Sequence, residues 1–424
     1  SSHQLAKTYP DVVELVPLGH SRNGYPIEAL KIGTGTRTGM MVGLPHPNEP
    51  IGAMMLEFFS KKLAEDGEFR AELDTTWYLI KCIDPDGTKL NEGWFNGPFT
   101  ITNYARHFYR PPGEEQVEWT FPVDYKTYSF NRPLPETQAW MKLIEDCSPD
   151  FLYSLHNSGF GGVYLYLSHD IPPLYPPFYD LVNTVELPLH LGEPEAPFVP
   201  QFDQAVFGMM GLAAQYDYFS EHSKTDPAEI FKSGANSYEY LTRLGKATFL
   251  VCEMPYFYNQ SIHDTSPSDS MRRDMALAGL DAQEQIVDFM AGWLDKLELT
   301  AESPFRSAIS SNIQIIPALF KARRAQIESD PEMERHATVA EKFDNLFVGR
   351  FYYVLMLGVF LRMLETEIET SGKTAILEEA LAAALQEFEA QTAYLETHMN
   401  YTAIPIRKLV QVQLGTAILT LREA

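Results

Sequence analysis

Apolar and polar residues alternate in short blocks over the first 300 positions of this chain, and the blocks switch between strand and helix rhythm. Residues 12–19 and 26–32 have strand character and flank Asn23-Gly24, a pair suited to a tight hairpin turn. Met40-Met41-Val42-Gly43-Leu44 is a continuous apolar run of strand length. Soon after it, Ile51, Met54, Met55, Phe58, Phe59 and Leu63 recur at helical spacing and define one apolar face. Thr76 to Ile83 reads as a buried strand that stops at Asp84-Pro85-Asp86-Gly87. Residues 88–130 are aromatic with little periodicity. Pro135 to Asp146 is helix-like, Phe151 to His156 and Ala247 to Cys252 are strand-like, and residues 270–298 predict an amphipathic helix. The Pro-rich stretch from Ile171 to Pro200 predicts a loop covering one face.

Strands alternating with helices predict an α/β fold, an α/β/α sandwich with a mixed, mostly buried central sheet. The rhythm changes near residue 300. Strand-like runs stop, Gly and Pro become sparse, and Ala/Leu/Glu-rich helical patterns such as Ala375 to His398 take over. The expected division is residues 1–300 for the sheet domain and 301–424 for an all-helical domain. The longest apolar run, Phe351 to Leu361, lies between Arg350 and Arg362 and falls short of the ~20 residues of a membrane span. It predicts a buried helix, and no membrane association is expected.

Composition narrows the function classes. A formal net charge of −24 argues against nucleic acid, whose phosphates would be repelled. Cys82, Cys147 and Cys252 are the three cysteines, too few and too scattered for a disulfide framework. They point to a reducing, cytoplasmic setting. A signal removed before Ser1 would leave no trace, so secretion stays open.

One short motif suggests chemistry. His46-Pro47-Asn48-Glu49 stands between the apolar strand and the helix pattern, so imidazole and carboxylate can turn toward one point at the strand's carboxyl end. Such donors suit zinc. His190-Leu191-Gly192-Glu193 has the same spacing but lies among prolines with no helix pattern behind it, and reads as chance.

Further segments follow in a telling order: Asp84-Pro85-Asp86-Gly87, Phe130-Asn131-Arg132 with Pro135-Glu136-Thr137 after it, Ser154-Leu155-His156, and Val251-Cys252-Glu253. Together with His46-Pro47-Asn48-Glu49 and the N-terminal Gly19 to Ile27 hairpin, they resemble the zinc metallocarboxypeptidases of the carboxypeptidase A type over about residues 10–290. The resemblance implies one Zn²⁺ per chain held by His46, Glu49 and His156, with a fourth position left for water. It implies Glu253 as general base. Asn131 and Arg132 match the pair that grips a substrate's terminal carboxylate, which a guanidinium fork fits bidentately. Arg110 or Arg106 would stabilise the oxyanion, with Arg110 favoured. The implied substrate is a peptide or acylated amino acid with a free C-terminal carboxylate.

Two positions depart from the family pattern. Asn48 stands where digestive members carry Arg, and Phe231 takes the place of a mobile tyrosine, with Tyr238 or Tyr240 as substitute phenols. One alternative is a zinc amidase or deacylase of the succinylglutamate desuccinylase/aspartoacylase kind, suggested by Pro50 and Gly52 after Glu49. Another is a non-catalytic binding protein on the same fold, which the intact His46, Glu49, His156 and Glu253 oppose. The helical domain is expected to pack on its neighbour, restrict access, or serve a homo-oligomer contact.

Overall fold

The computed structural model describes residues 1–245 and 247–423. Nine strands form one mixed sheet among the described residues. In chain order they are β1 (Val13–His20), β2 (Pro26–Ile32), β3 (Arg37–Val42), β4 (Thr75–Ile80), β5 (Phe151–Ser154), β6 (Tyr164–Leu167), β7 (Gln201–Asp203), β8 (Val206–Gly208) and β9 (Thr248–Glu253). Their spatial order is β1-β2-β4-β3-β5-β9-β6-β8-β7. β4, β3, β5 and β9 run parallel as neighbours, with Val42 opposite Ser154 and Leu250 opposite Tyr153. β6 then pairs antiparallel with β9, setting Tyr164 opposite Glu253.

β5 and β6 are buried along their whole length and β3 and β9 along most of theirs, as expected for strands covered on both faces. Helix α1 (Ile51–Glu65) lays Ile51, Met55, Leu56, Phe59 and Leu63 on the sheet. Gly52 lies where α1 meets the end of β5. A Cβ there would stand 2.5 Å from Leu155 Cβ, so only glycine lets the two segments approach this closely.

The Pro-rich stretch is not all loop. Tyr175–Thr184 is a helix, and its prolines Pro176 and Pro177 fall in the first turn, where a missing N–H costs nothing. β6, β7 and β8 are three or four residues long, too short for alternation to show in sequence. A seven-residue helix, Ile101–His107, also lies inside the aperiodic region.

Helices after residue 300 do not build a separate core. Pro304–Ser329, Gly349–Ser371, Ala375–His398 and Ile406–Glu423 contribute to the same hydrophobic cluster as the sheet. Ile406–Glu423 packs on α1, on β9 and on Tyr175–Thr184. The change near residue 300 is one of composition, not a break in packing. Val339–Ser371 is long and apolar enough to cross a membrane by length and composition, yet 61% of its most apolar window is buried inside the protein. Phe351, Val354, Leu357, Phe360, Leu361 and Leu364 supply much of that burial.

Replacing Gly52 by Ala should cost about 1–3 kcal/mol, because the new methyl must displace Leu155 and the end of β5. Equilibrium denaturant unfolding should show the lowered midpoint with an unchanged slope.

Candidate active site

Three adjacent parallel strands deliver the candidate groups to one sheet edge. β3 leads into His46 and Glu49, β5 into His156, and β9 ends on Glu253. Between β3 and the motif the chain turns through Leu44, whose φ of 56° is left-handed, a conformation an L side chain holds only when its surroundings enforce it. Asp84 caps the next turn by accepting from the Gly87 N–H at 2.9 Å. A Cβ on Gly87 would meet Pro47 at 2.7 Å, so the Asp84-Pro85-Asp86-Gly87 turn buttresses the motif directly.

His46, Glu49 and His156 are all buried and present ligand atoms within 4.8 Å of one another. Glu49 Oε2 lies 3.1 Å from His156 Nδ1 and accepts from the Asn157 N–H, also at 3.1 Å. Asn157 Oδ1 accepts from the Ile51 N–H at 3.2 Å, tying the two ligand loops together. His46 Nδ1 is buried without a hydrogen-bond partner. Burial above all, then the charges of Arg110 and His156, hold the His46 pKa well below its usual value. A neutral imidazole with an unpaired nitrogen is the form that binds metal.

The His156 tautomer follows from its neighbours. Glu118 is fully enclosed and accepts from Ser154 Oγ at 2.9 Å, from the Ser237 N–H at 2.9 Å, and from the Ser237 hydroxyl. Burial raises the Glu118 pKa, while His156 and these donors oppose the rise. Ser154 has spent its proton on Glu118, so it accepts from His156 Nε2–H at 3.0 Å. Nδ1 then carries the lone pair that faces Glu49. Such outer hydrogen bonds orient a metal-binding histidine. The donor set, the orphaned nitrogen and the fixed tautomer fit zinc. Sequence reading missed Glu118 and Ser237, and nothing in their spacing marks them.

Glu253 Oε1 is 3.8 Å from His156 Nδ1. Burial, then the charges of Glu49 and Glu195, push its pKa well up, and Arg110 opposes them. Arg110 places Nη1 3.2 Å from Glu49 Oε1, donates from Nε to Gln116 Oε1 at 3.0 Å, and covers the Trp119 ring at 5.2 Å. It lines the same cavity as His46, Glu49, His156 and Glu253, a space of about 730 Å³. Ile315, Ile316 and Leu319 from Pro304–Ser329, and Leu355, Met356 and Val359 from Gly349–Ser371, form one apolar wall.

Other sequence candidates lie elsewhere. Asn131 and Arg132 follow a small hairpin outside the main sheet, are exposed, and do not line the cavity; Arg132 sits over the Phe130 ring. The Pro-Glu-Thr helix start that suggested them is real, but its Glu136 serves Arg22, not the cavity. Arg106 pairs with Glu365 and also stays out. Tyr238 packs on Phe249 and Tyr240 bonds Glu145, whereas the cavity phenols are Tyr104, Tyr166, Tyr352 and Tyr353. Phe231 does line the cavity. The second His-x-x-Glu copy is structural: His190 Nε2 bonds the Glu193 carbonyl and Glu193 pairs with Arg272.

A family model described as zinc carboxypeptidase matches residues 2–239, more than half of the chain. The chain therefore belongs to the zinc carboxypeptidase family. Among solved structures it is similar to carboxypeptidase A from Helicoverpa armigera, with 13% identity, 78% of this chain and 72% of that chain covered, and a TM-score of 0.41. It is also similar to a metallo-carboxypeptidase from Burkholderia cenocepacia, with 14% identity, 75% and 67% covered, and a TM-score of 0.38. No curated protein matches.

Removing the support of His156 should weaken metal binding without removing a ligand. Glu118→Gln or Ser154→Ala should lower zinc affinity about 10–100-fold, and His46→Ala should abolish stoichiometric binding. Equilibrium dialysis with elemental analysis measures this. Full zinc occupancy in His46→Ala would overturn the ligand assignment.

Proposed function

We propose that this chain is a zinc-dependent peptidase that releases the C-terminal residue of a peptide or N-acyl amino acid. The observation that carries this reading is Glu253, a buried carboxylate on the same sheet edge as His46, Glu49 and His156. Zinc in such a site supplies Lewis acidity, which acidifies water and polarises a carbonyl. Glu253, made more basic by burial, accepts the proton from the attacking water and returns it to the leaving nitrogen. The Arg110 guanidinium, already held by Glu49 and Gln116, faces the cavity where the oxyanion would develop.

With Arg132 outside, a different cation must read a free carboxylate. Lys232 lines the cavity, and its Nζ donates to the neutral Gln314 Oε1 at 2.6 Å. It follows Phe231 on the loop that replaces the family's tyrosine. Lys232 is the group we assign to the substrate carboxylate, as a point charge instead of a fork. The exposed Asn131 and Arg132 also favour a second reading, an amidase or deacylase that needs no terminal carboxylate.

Glu253→Gln should keep zinc and fold and lower kcat roughly 10²–10⁴-fold. The working form of Glu253 is deprotonated, so activity is complete above its pKa and falls as pH drops through it. Because that pKa is raised, the acid limb of kcat/KM should lie above the ~4.3 of an ordinary glutamate. A chelator should abolish turnover and added zinc should restore it.

A matched pair of blocked dipeptides, free acid and C-terminal amide, separates the two readings. The wild type should prefer the acid, Lys232→Gln should lose that preference, and Arg132→Ala should keep it. Equal kcat/KM for acid and amide in the wild type would promote the amidase reading.

A further inference from the structure

The cavity contains a carboxylate that catalysis does not use. Glu195 opens onto the cavity together with Glu253 and Tyr166. Two phenols from β6 hold it: the Tyr166 hydroxyl donates to Oε2 at 3.1 Å and the Tyr164 hydroxyl donates to Oε1. These tyrosines stand two residues apart and so share one face of the sheet. In register, Tyr164 is opposite Glu253 and Tyr166 is opposite Val251. Glu195 is thereby placed one side-chain layer from the general base.

Among the described residues no Lys, Arg or His forms an ion pair with Glu195. Arg110 pairs with Glu49, and Lys232 donates to Gln314. The phenols donate hydrogen bonds but carry no charge. Their burial, and then Glu195 itself, drive their pKa values far up, so they stay protonated. An oriented carboxylate that opens onto the cavity with no ion-pair partner among the described residues is a receptor for a cation.

The surroundings set the ligand's shape. Phe207 packs against Tyr164 and Tyr166, and Met209, Met210 and Phe249 line the cavity on this side, so the approach to Glu195 is apolar. The loop carrying Glu195 is pinned: His190 N–H bonds Val163 O at 3.0 Å, and Glu193 accepts from Arg272 Nε at 2.9 Å. Asn236, close behind Lys232 on its loop, donates to the Met210 carbonyl at 2.7 Å. Met210 follows β8, whose Phe207 is paired with Tyr166. The loop assigned to the substrate carboxylate and Glu195 thus border the same part of the cavity.

We propose that Glu195, held by Tyr164 and Tyr166, is a specificity site for a cationic side chain on the released residue. The class is an apolar stem ending in an amine or guanidine, as in lysine or arginine. This rests on the peptidase reading above and sharpens it.

The test compares benzoyl-glycyl-lysine with benzoyl-glycyl-norleucine, which differ chiefly by the terminal ammonium. Wild-type zinc enzyme should favour lysine by at least about tenfold in kcat/KM, and Glu195→Gln should collapse that ratio toward one. Tyr166→Phe, which removes one holding bond, should reduce the ratio to an intermediate value. In parallel, calorimetry on Glu253→Gln should show free L-lysine binding more tightly than L-norleucine, and the Glu195→Gln/Glu253→Gln protein should not discriminate. Equal kcat/KM for the two substrates in the wild type overturns the inference while leaving the peptidase reading intact. So does a lysine preference that survives Glu195→Gln. If neither substrate is cleaved but lysine still binds selectively through Glu195, the peptidase reading falls and the cation site stands.

Discussion

Everything at this site depends on the parallel alignment of β3, β5 and β9. Parallel neighbours end at the same edge, so residues some hundred positions apart in sequence arrive side by side. One residue of slippage in β5 would swap the faces of Tyr153 and Ser154 and turn His156 away from Glu49. Full burial on both faces holds the register, because a slip would break packing along the entire strand. Tight approaches at Gly52 and Gly87 fix the remaining freedom of the ligand loops.

Electrostatics follow from that alignment. Bringing Glu49 and Glu253 together below the surface raises the free energy of the charged site, and Arg110 relieves only part of it. His46 responds by staying neutral. Glu118 is stabilised differently, by three donors from Ser154 and Ser237. His46, Glu49 and His156 could thus receive a cation, which would relieve the repulsion between the neighbouring carboxylates.

Much of this was legible in the sequence, and the reasons for the gaps are physical. Long strands and helices with strong periodicity were read close to their true limits, including the Met40 run, the Ile51 helix and the Ala375 helix. His46, Glu49, His156 and Glu253, which the structure brings together, stand out in sequence because each follows or ends such an element. Arg132 adjoins a genuine helix start yet lies outside the cavity; sequence proximity to a helix says nothing about which side of the chain faces a cavity. Glu118, Lys232 and Glu195 lie in segments without periodicity, where position depends on distant contacts. The apolar wall from Pro304–Ser329 and Gly349–Ser371 carries no mark in the sequence, since core-facing and cavity-facing apolar residues look alike there.

The helix Ile406–Glu423 is the last element of the described chain, yet Gln413 Nε2 donates to the His156 carbonyl at 2.8 Å. A ribosome exposes this chain from the N-terminus, so His46, Glu49, His156 and Glu253 all emerge before the residue that completes the support of His156. The strands that carry these four residues precede Gln413 by more than a hundred positions, so the support of His156 is completed from far downstream. A chain that stopped short of Gln413 would carry His46, Glu49, His156 and Glu253 but leave the His156 carbonyl without this donor.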